Sequence, residues 1–205
     1  MSSAYKLLYG IGFTPWEQMA KSPMINEQIS SLFDREEAGR EPPYGRALDL
    51  GCGSGIWAAK LAARGWQVTG VDFVPKALRR ACELADQAGV ELQLIEGDVT
   101  ALASAGVGSG FRLLLDFGCF HDELSDLQRV EEGREASAAA APRATMLLMA
   151  WTPARRRFLP RGASREEIEV AFPEWTITDE EVMDVTGAPK NVRKAEPRLY
   201  QLRRN

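Results

Sequence analysis

Three glycines at alternate positions, Gly51, Gly53 and Gly55, follow a short apolar run that holds an acid, Ala47-Leu48-Asp49-Leu50. Without a Cβ, such a chain takes positive φ easily and lets a ligand lie against bare peptide. A second acid, Asp72, ends the β-type run Gln67-Val68-Thr69-Gly70-Val71. It falls about 20 residues after the glycines, the separation at which a neighbouring parallel strand delivers a carboxylate to ribose hydroxyls. Glycine turn and acid together ask for a nucleotide-like ligand. The chain's single histidine, His121, follows a third acid, Asp116. An imidazole, with an ordinary pKa of about 6.5, can take a proton from an O–H, S–H or N–H nucleophile near neutral pH. The other reading of a lone histidine is packing. Asp116 either orients one end of the ligand or satisfies nearby backbone N–H groups.

These residues need strands and helices to hold them. The pattern predicts a strand at 47–50, a helix from about Ser54 with Ile56, Ala59, Leu61 and Ala63 near one face, and Gly65 as its stop. A second strand runs to Asp72, and Pro75 opens a helix with Leu78, Ala81, Cys82 and Ala85 as its buried stripe until Gly89. Strands follow at 91–95, at 111–116 (buried on both faces apart from its ends) and at 144–151, with a helix over 125–141 whose polar face is rich in Glu and Arg. Asp122-Glu123 reads as dipole-complementing acids at that helix's start. The 100–110 stretch reads as a loose connection or an irregular helix, and 152–163 is long enough to line a substrate pocket. Ser164 to Glu167 is a capping box that opens a short helix ended by Pro173. Strands at 175–185 and 198–203 close the chain as antiparallel partners. Ahead of the first strand, Thr14-Pro15-Trp16-Glu17 has the capping-box pattern, and Ser22-Pro23 starts a helix with Ile25, Ile29, Leu32 and Phe33 on one face.

Composition narrows the class. At 205 residues, 45% hydrophobic and 26% charged, the chain suits one globular domain. A net charge of −4 argues against a nucleic-acid surface; Arg155-Arg156-Arg157 and Arg203-Arg204 read as solvated faces. Cys52, Cys82 and Cys119 show neither paired spacing nor a zinc pattern, and no apolar run is long enough to span a bilayer. A soluble, cytoplasmic protein is expected.

The glycine order discriminates among ligands. A dinucleotide fingerprint wants glycine at the position of Ile56, a P-loop wants a Lys-Ser/Thr ending, and a serine-hydrolase elbow wants Gly-x-Ser-x-Gly. The run Asp49-Leu50-Gly51-Cys52-Gly53-Ser54-Gly55 instead resembles the first motif of class I S-adenosylmethionine-dependent methyltransferases, Asp/Glu-x-Gly-x-Gly-x-Gly. Thr14-Pro15-Trp16-Glu17 is similar to a segment that small-molecule methyltransferases of the thiopurine, thiol and tellurite-resistance type carry upstream, with Glu17 where Asp is commoner.

The resemblance implies a Rossmann-like α/β fold: a seven-stranded sheet in the order 3-2-1-4-5-7-6, the last strand antiparallel, with helices on both faces. Residues 1–45 become a helical cap or lid on the same domain, and 46–205 the cofactor-binding domain. S-adenosylmethionine, leaving as S-adenosylhomocysteine, would be held by Asp49, Gly51, Cys52, Gly53, Gly55, Asp72 and Asp116. Trp16 would cover it, Phe73 would wall the adenine, Asp98 would accept the adenine amino group, and the Val99 N–H would donate to the ring. His121 is the candidate base, with Asp116 a possible second catalytic group. The Asp116-Phe117-Gly118-Cys119 run lacks the Asn/Asp-Pro-Pro-Tyr pattern of nucleic-acid and protein-amide methylating enzymes, and the fifth strand ends in Trp151-Thr152-Pro153 with no acid to hold magnesium. The expected acceptor is therefore an S, O or heterocyclic N atom of a small molecule, methylated without metal by a monomer or homodimer. A non-catalytic cofactor-binding sensor on the same fold is the alternative.

Overall fold

A computed structural model of the chain describes residues 3–12, 14–121, 124–154, 161–186 and 193–205. The Asp122-Glu123 and Arg155-Arg156-Arg157 readings and residues 155–160 of the 152–163 segment lie outside them. The helices are α1 (Ser3–Ile11), α2 (Pro15–Met19), α3 (Pro23–Glu37), α4 (Ile56–Arg64), α5 (Pro75–Ala88), α6 (Asp126–Ala139) and α7 (Arg165–Ala171). The strands are β1 (Gly45–Leu50), β2 (Trp66–Asp72), β3 (Leu92–Glu96), β4 (Phe111–Asp116), β5 (Ala140–Ala150), β6 (Trp175–Val182) and β7 (Arg198–Arg204).

The seven strands form one sheet in the order β3-β2-β1-β4-β5-β7-β6, the order that the resemblance implies. The first five are parallel, and β7 runs antiparallel to both β5 and β6. Alternation along buried strands sends side chains to two cores. Ala47, Leu113, Leu115 and Leu147 meet α3 and α4 through Ile29, Phe33, Ala58 and Leu61 on one face. Leu48, Leu114, Met146 and Leu148 meet α6 and α7 through Ala136, Ile168 and Phe172 on the other. Each fully enclosed leucine contributes about 2 kcal/mol of transfer free energy.

Some expectations shift in detail. The N-terminal segment holds a helix, α1, that its mixed sequence does not announce. At α2 the Thr14 hydroxyl donates to the Glu17 carboxylate at 2.8 Å. Helix α4 begins at Ile56, because Gly55 sits in the left-handed region at φ 72°; its buried residues are Ala58, Ala59 and Leu61, with Ala63 exposed. The α5 stripe is Ala77, Ala81 and Ala85, with Cys82 exposed and Leu78 half-buried. Strand β5 starts at Ala140, paired with Phe111 before a register shift brings Thr145 opposite Leu113. Ser164 and Ser125 both form complete capping boxes, the latter not foreseen. Arg203 and Arg204 pair with Glu36 and Glu174, so they are not a free basic patch.

Helix α6 departs most from its expected amphipathicity. Arg129, Glu132, Gly133, Ala136 and Ser137 face inward, while Leu127 and Val130 are exposed. Two of the charges that read as a solvated face, Arg129 and Glu132, are buried.

Candidate functional site

Parallel pairing sets four strand ends side by side, with Leu50 opposite Val71 and Asp116, and Asp72 opposite Glu96. From β1 the chain order runs one way to β2 and the other way to β4, and such a switch point opens a crevice beyond the carboxyl ends. The sequence-predicted residues on the glycine turn, Asp72, Asp98 and the loop after β4 all gather along this edge.

The glycine turn has the geometry its composition requires: φ is 65° at Gly51, 54° at Gly53 and 72° at Gly55. It is also closely overlain. A Cβ on Gly53 would lie 2.8 Å from the Tyr9 hydroxyl, and one on Gly51 would lie 3.0 Å from Cys119 Cβ. The turn is tied to its neighbour by the Cys52 N–H, which donates to the Val71 carbonyl at 2.9 Å. Asp72 accepts from the Gly53 N–H at 2.9 Å and from the Val74 N–H at 2.8 Å. Burial raises its pKa, and those N–H groups oppose the rise.

Asp49 sits beneath the turn, 3% exposed, with Oδ2 lacking a donor among the described residues. Burial first, then the nearby charges of Asp116 and Asp72, push its pKa up to about 8, against one backbone N–H from Ala58. Burial likewise pushes the Cys52 and Cys119 thiols up, so neither is a thiolate nucleophile at neutral pH.

Farther along the edge, Asp98 caps the short 3-10 turn Val99–Ala101, accepting from the Thr100 N–H at 2.9 Å and the Thr100 hydroxyl at 2.7 Å. Val99 is buried, and Phe73 and Trp16 pack against the cluster of Tyr9, Val74 and Ala77. The Trp16 indole N–H donates to the Tyr9 hydroxyl at 3.2 Å. Burial raises the Tyr9 pKa, keeping the phenol protonated. Helices α1 and α2 therefore lie over the glycine turn and the end of β2, held also by Lys76 donating to the Gly10 carbonyl at 3.0 Å.

Beyond β4, Asp116 takes the second of its two expected parts. It is fully enclosed and accepts from the N–H groups of Gly118, Cys119 and Phe120 at 3.2, 2.8 and 3.0 Å. Its carboxylate thus shapes the loop that carries His121. The His121 ring, 3% exposed, places Nδ1 3.0 Å from the Met149 carbonyl and stacks on Trp151 with centroids 5.7 Å apart. A carbonyl only accepts, so Nδ1 carries a proton and the neutral ring's lone pair belongs to Nε2. The described ends of the 152–163 segment close on the same loop: the Gly162 N–H donates to the His121 carbonyl at 3.0 Å. Trp151 holds its indole N–H buried with no acceptor among the described residues. A separate groove lined by Val182, Met183, Asp184, Val185, Thr186 and Arg193 involves none of these residues. Among the described residues, no three His, Cys, Asp or Glu side chains converge as metal ligands, and no helix is long and apolar enough to cross a membrane.

Residues 47–142, which hold the glycine turn, Asp72, Asp98 and the β4 loop, match the family described as the methyltransferase domain. The fold is that of the class I methyltransferases. Ubiquinone biosynthesis O-methyltransferase of Cereibacter sphaeroides is 35% identical over 97 residues, 46% of this chain and 39% of that protein. The enzyme of the same name from Ruegeria pomeroyi is 38% identical over 84 residues, 40% of this chain and 34% of that one. The chain thus spans between a third and two fifths of the length of the curated relatives it matches. The fold extends further than the sequence likeness. The N-methyltransferase NodS of Bradyrhizobium japonicum, solved with S-adenosylhomocysteine, superposes with a TM-score of 0.73 at 18% identity, over 91% of this chain and 90% of that one. The 1,6-didemethyltoxoflavin-N1-methyltransferase of Burkholderia thailandensis gives 0.71 at 20% identity, over 99% and 86%.

Sequence reasoning about this domain missed four residues at the site: Tyr9, Arg129, Glu132 and Trp151. Tyr9 lies in a segment with no periodic signal, and Arg129 and Glu132 look like surface charges. Trp151 was visible only as a strand end.

Proposed function

We propose that the protein is an S-adenosylmethionine-dependent methyltransferase that methylates an S, O or heterocyclic N atom of a small molecule without a metal. The observation that carries this is the glycine turn, left-handed at all three glycines and bridged by Asp72 at the end of the next strand. The donor set fits the cofactor: bare peptide at the turn, a carboxylate for the ribose at Asp72, and acidic Asp49 beneath. An acidic crevice suits a ligand bearing an ammonium and a sulfonium better than one bearing a pyrophosphate. The O-methyltransferase relatives and N-methyltransferase neighbours are compatible with this acceptor range and do not narrow it.

Bound here, the cofactor supplies a methyl group on a positively charged sulfur, which leaves as a neutral thioether. The protein's task is then to place the acceptor in line, exclude water and remove a proton. Cys119, Phe120 and His121 follow from the loop that Asp116 holds, so this loop fixes the acceptor side. His121, neutral with its lone pair on Nε2, takes the acceptor's proton as the new bond forms. Asp98 and the Val99 N–H hold the adenine, Phe73 walls it, and α1 and α2, with Trp16, act as the lid.

The enclosure of His121 favours a second reading, a sensor that binds cofactor without transfer. Calorimetric titration with S-adenosylhomocysteine, beside an Asp72→Ala variant, tests the cofactor site. Micromolar binding that the variant loses supports it, and wild-type protein that binds nothing refutes it. A panel of thiols, phenols and heterocycles then separates enzyme from sensor: turnover with any of them excludes the sensor.

A further inference from the structure

Under the β4 loop lies a buried acid that the transfer step does not use. Glu132 of α6 is fully enclosed, its carboxyl meets that of Asp116, and neither of its oxygens receives an N–H or O–H bond from any other described group. Two adjacent buried carboxylates do not both ionise. Asp116 is already served by three backbone N–H groups, which stabilise its charged form, so the proton belongs on Glu132. Of the other groups facing the pair, only the positive charge of Arg129 opposes this. Asp98, from beyond β3, adds negative charge, and the Cys119 thiol is neutral. On α6 itself, Arg129 is turned to other partners: the Phe120 carbonyl at 3.0 Å, the Gly162 carbonyl at 2.7 Å and Glu167 at 3.2 Å.

We propose that Glu132 is a positioning residue of the methyl-transfer site: a neutral acid that donates to Asp116 and so sets the loop from Gly118 to His121. The chain of contacts is short. Asp116 holds the N–H groups of Gly118, Cys119 and Phe120; Cys119 then abuts Gly51 of the glycine turn, and His121 meets Met149 and Trp151. One proton thereby couples the cofactor turn to the acceptor side. Burial and the Asp116 charge hold the Glu132 pKa well above the usual carboxylate range. Its loss at alkaline pH leaves two buried negative charges face to face, and the loop must yield.

The role at the transfer site rests on the function proposed above; the shared proton does not. Glu132→Gln keeps a neutral N–H donor, whereas Glu132→Leu keeps bulk without one. The infrared spectrum of the wild type at neutral pH should contain the carbonyl band of a protonated carboxylic acid that Glu132→Gln lacks; Asp49 contributes a second such band to both. Affinity for S-adenosylhomocysteine should fall at least about 10-fold in Glu132→Leu and be rescued in Glu132→Gln. As pH rises to where Glu132 ionises, the wild type should lose affinity more steeply than Glu132→Gln, since other titrating groups are common to both. No difference in the infrared band, identical pH profiles, or a leucine variant that binds like wild type would overturn the proposal. Failure of every protein to bind would refute the function instead, and the infrared comparison would still decide the proton.

Discussion

Replacing Asp49 by Asn should stabilise the protein by an amount that grows with pH. The carboxyl is 3% exposed, one of its oxygens has no donor among the described residues, and its pKa rises from 3.8 to about 8 on folding. Below the unfolded value, both states hold the proton. As pH rises past it, the unfolded chain releases a proton that the folded one keeps, so stability falls until the folded group also ionises near pH 8. The slope is about 1.4 kcal/mol per pH unit, which makes about 3 kcal/mol between about pH 5 and about pH 7. At this chain length that is roughly 6–12 °C in the thermal midpoint. Asparagine stays neutral, so the gap between variant and wild type should widen by that amount over the window. Asp72, Asp116 and Glu132 have raised pKa values in both proteins, and their contributions cancel in the difference. Urea unfolding of both proteins across the window measures it. Parallel stability curves would refute the reading of Asp49 as a buried, largely neutral acid.

Two further substitutions probe the acceptor side and its support. His121→Ala should lower turnover by about 10²-fold while leaving S-adenosylhomocysteine affinity nearly unchanged; equal loss of both would make the ring a structural wall. Gly133→Ala should destabilise, because its Cβ would stand 1.9 Å from the Ala171 carbonyl oxygen. Overpacking of about 3 kcal/mol outweighs a helix-propensity gain of about 1 kcal/mol, and an unshifted urea midpoint would contradict the close seating of α6 on α7.

What the sequence disclosed follows from how local each requirement is. The glycine turn needs positive φ at three positions within five residues, and few residue types satisfy that, so composition alone revealed it. Strand β4 showed itself because its centre, Leu113-Leu114-Leu115, is buried on both faces and must be apolar. Helix α6 concealed its orientation for the converse reason. Its inward charges, Arg129 and Glu132, meet groups outside the helix, at Phe120, Gly162, Glu167 and Asp116, and periodicity records spacing without saying which face is buried. Tyr9 was hidden because α1 is placed by contacts with Trp16 and α5 rather than by its own pattern.

The acids along the strand ends show how so polar a crevice can fold. Four carboxyls, Asp49, Asp72, Asp116 and Glu132, lie buried around the turn and the β4 loop, and full ionisation of all four would be prohibitive. The fold divides them. Asp72 and Asp116 hold backbone N–H groups that stabilise their charge; Asp49 and Glu132 have few or no donors and keep protons. The two charged acids are thus the ones that shape backbone at the turn and the loop. The two neutral acids differ in turn: Glu132 has a fixed partner in Asp116, whereas Asp49 lies beneath the glycine turn with an oxygen uncommitted among the described residues. A cation arriving in the crevice would favour the charged form of Asp49, so ligand charge and protein charge would change together at that one residue.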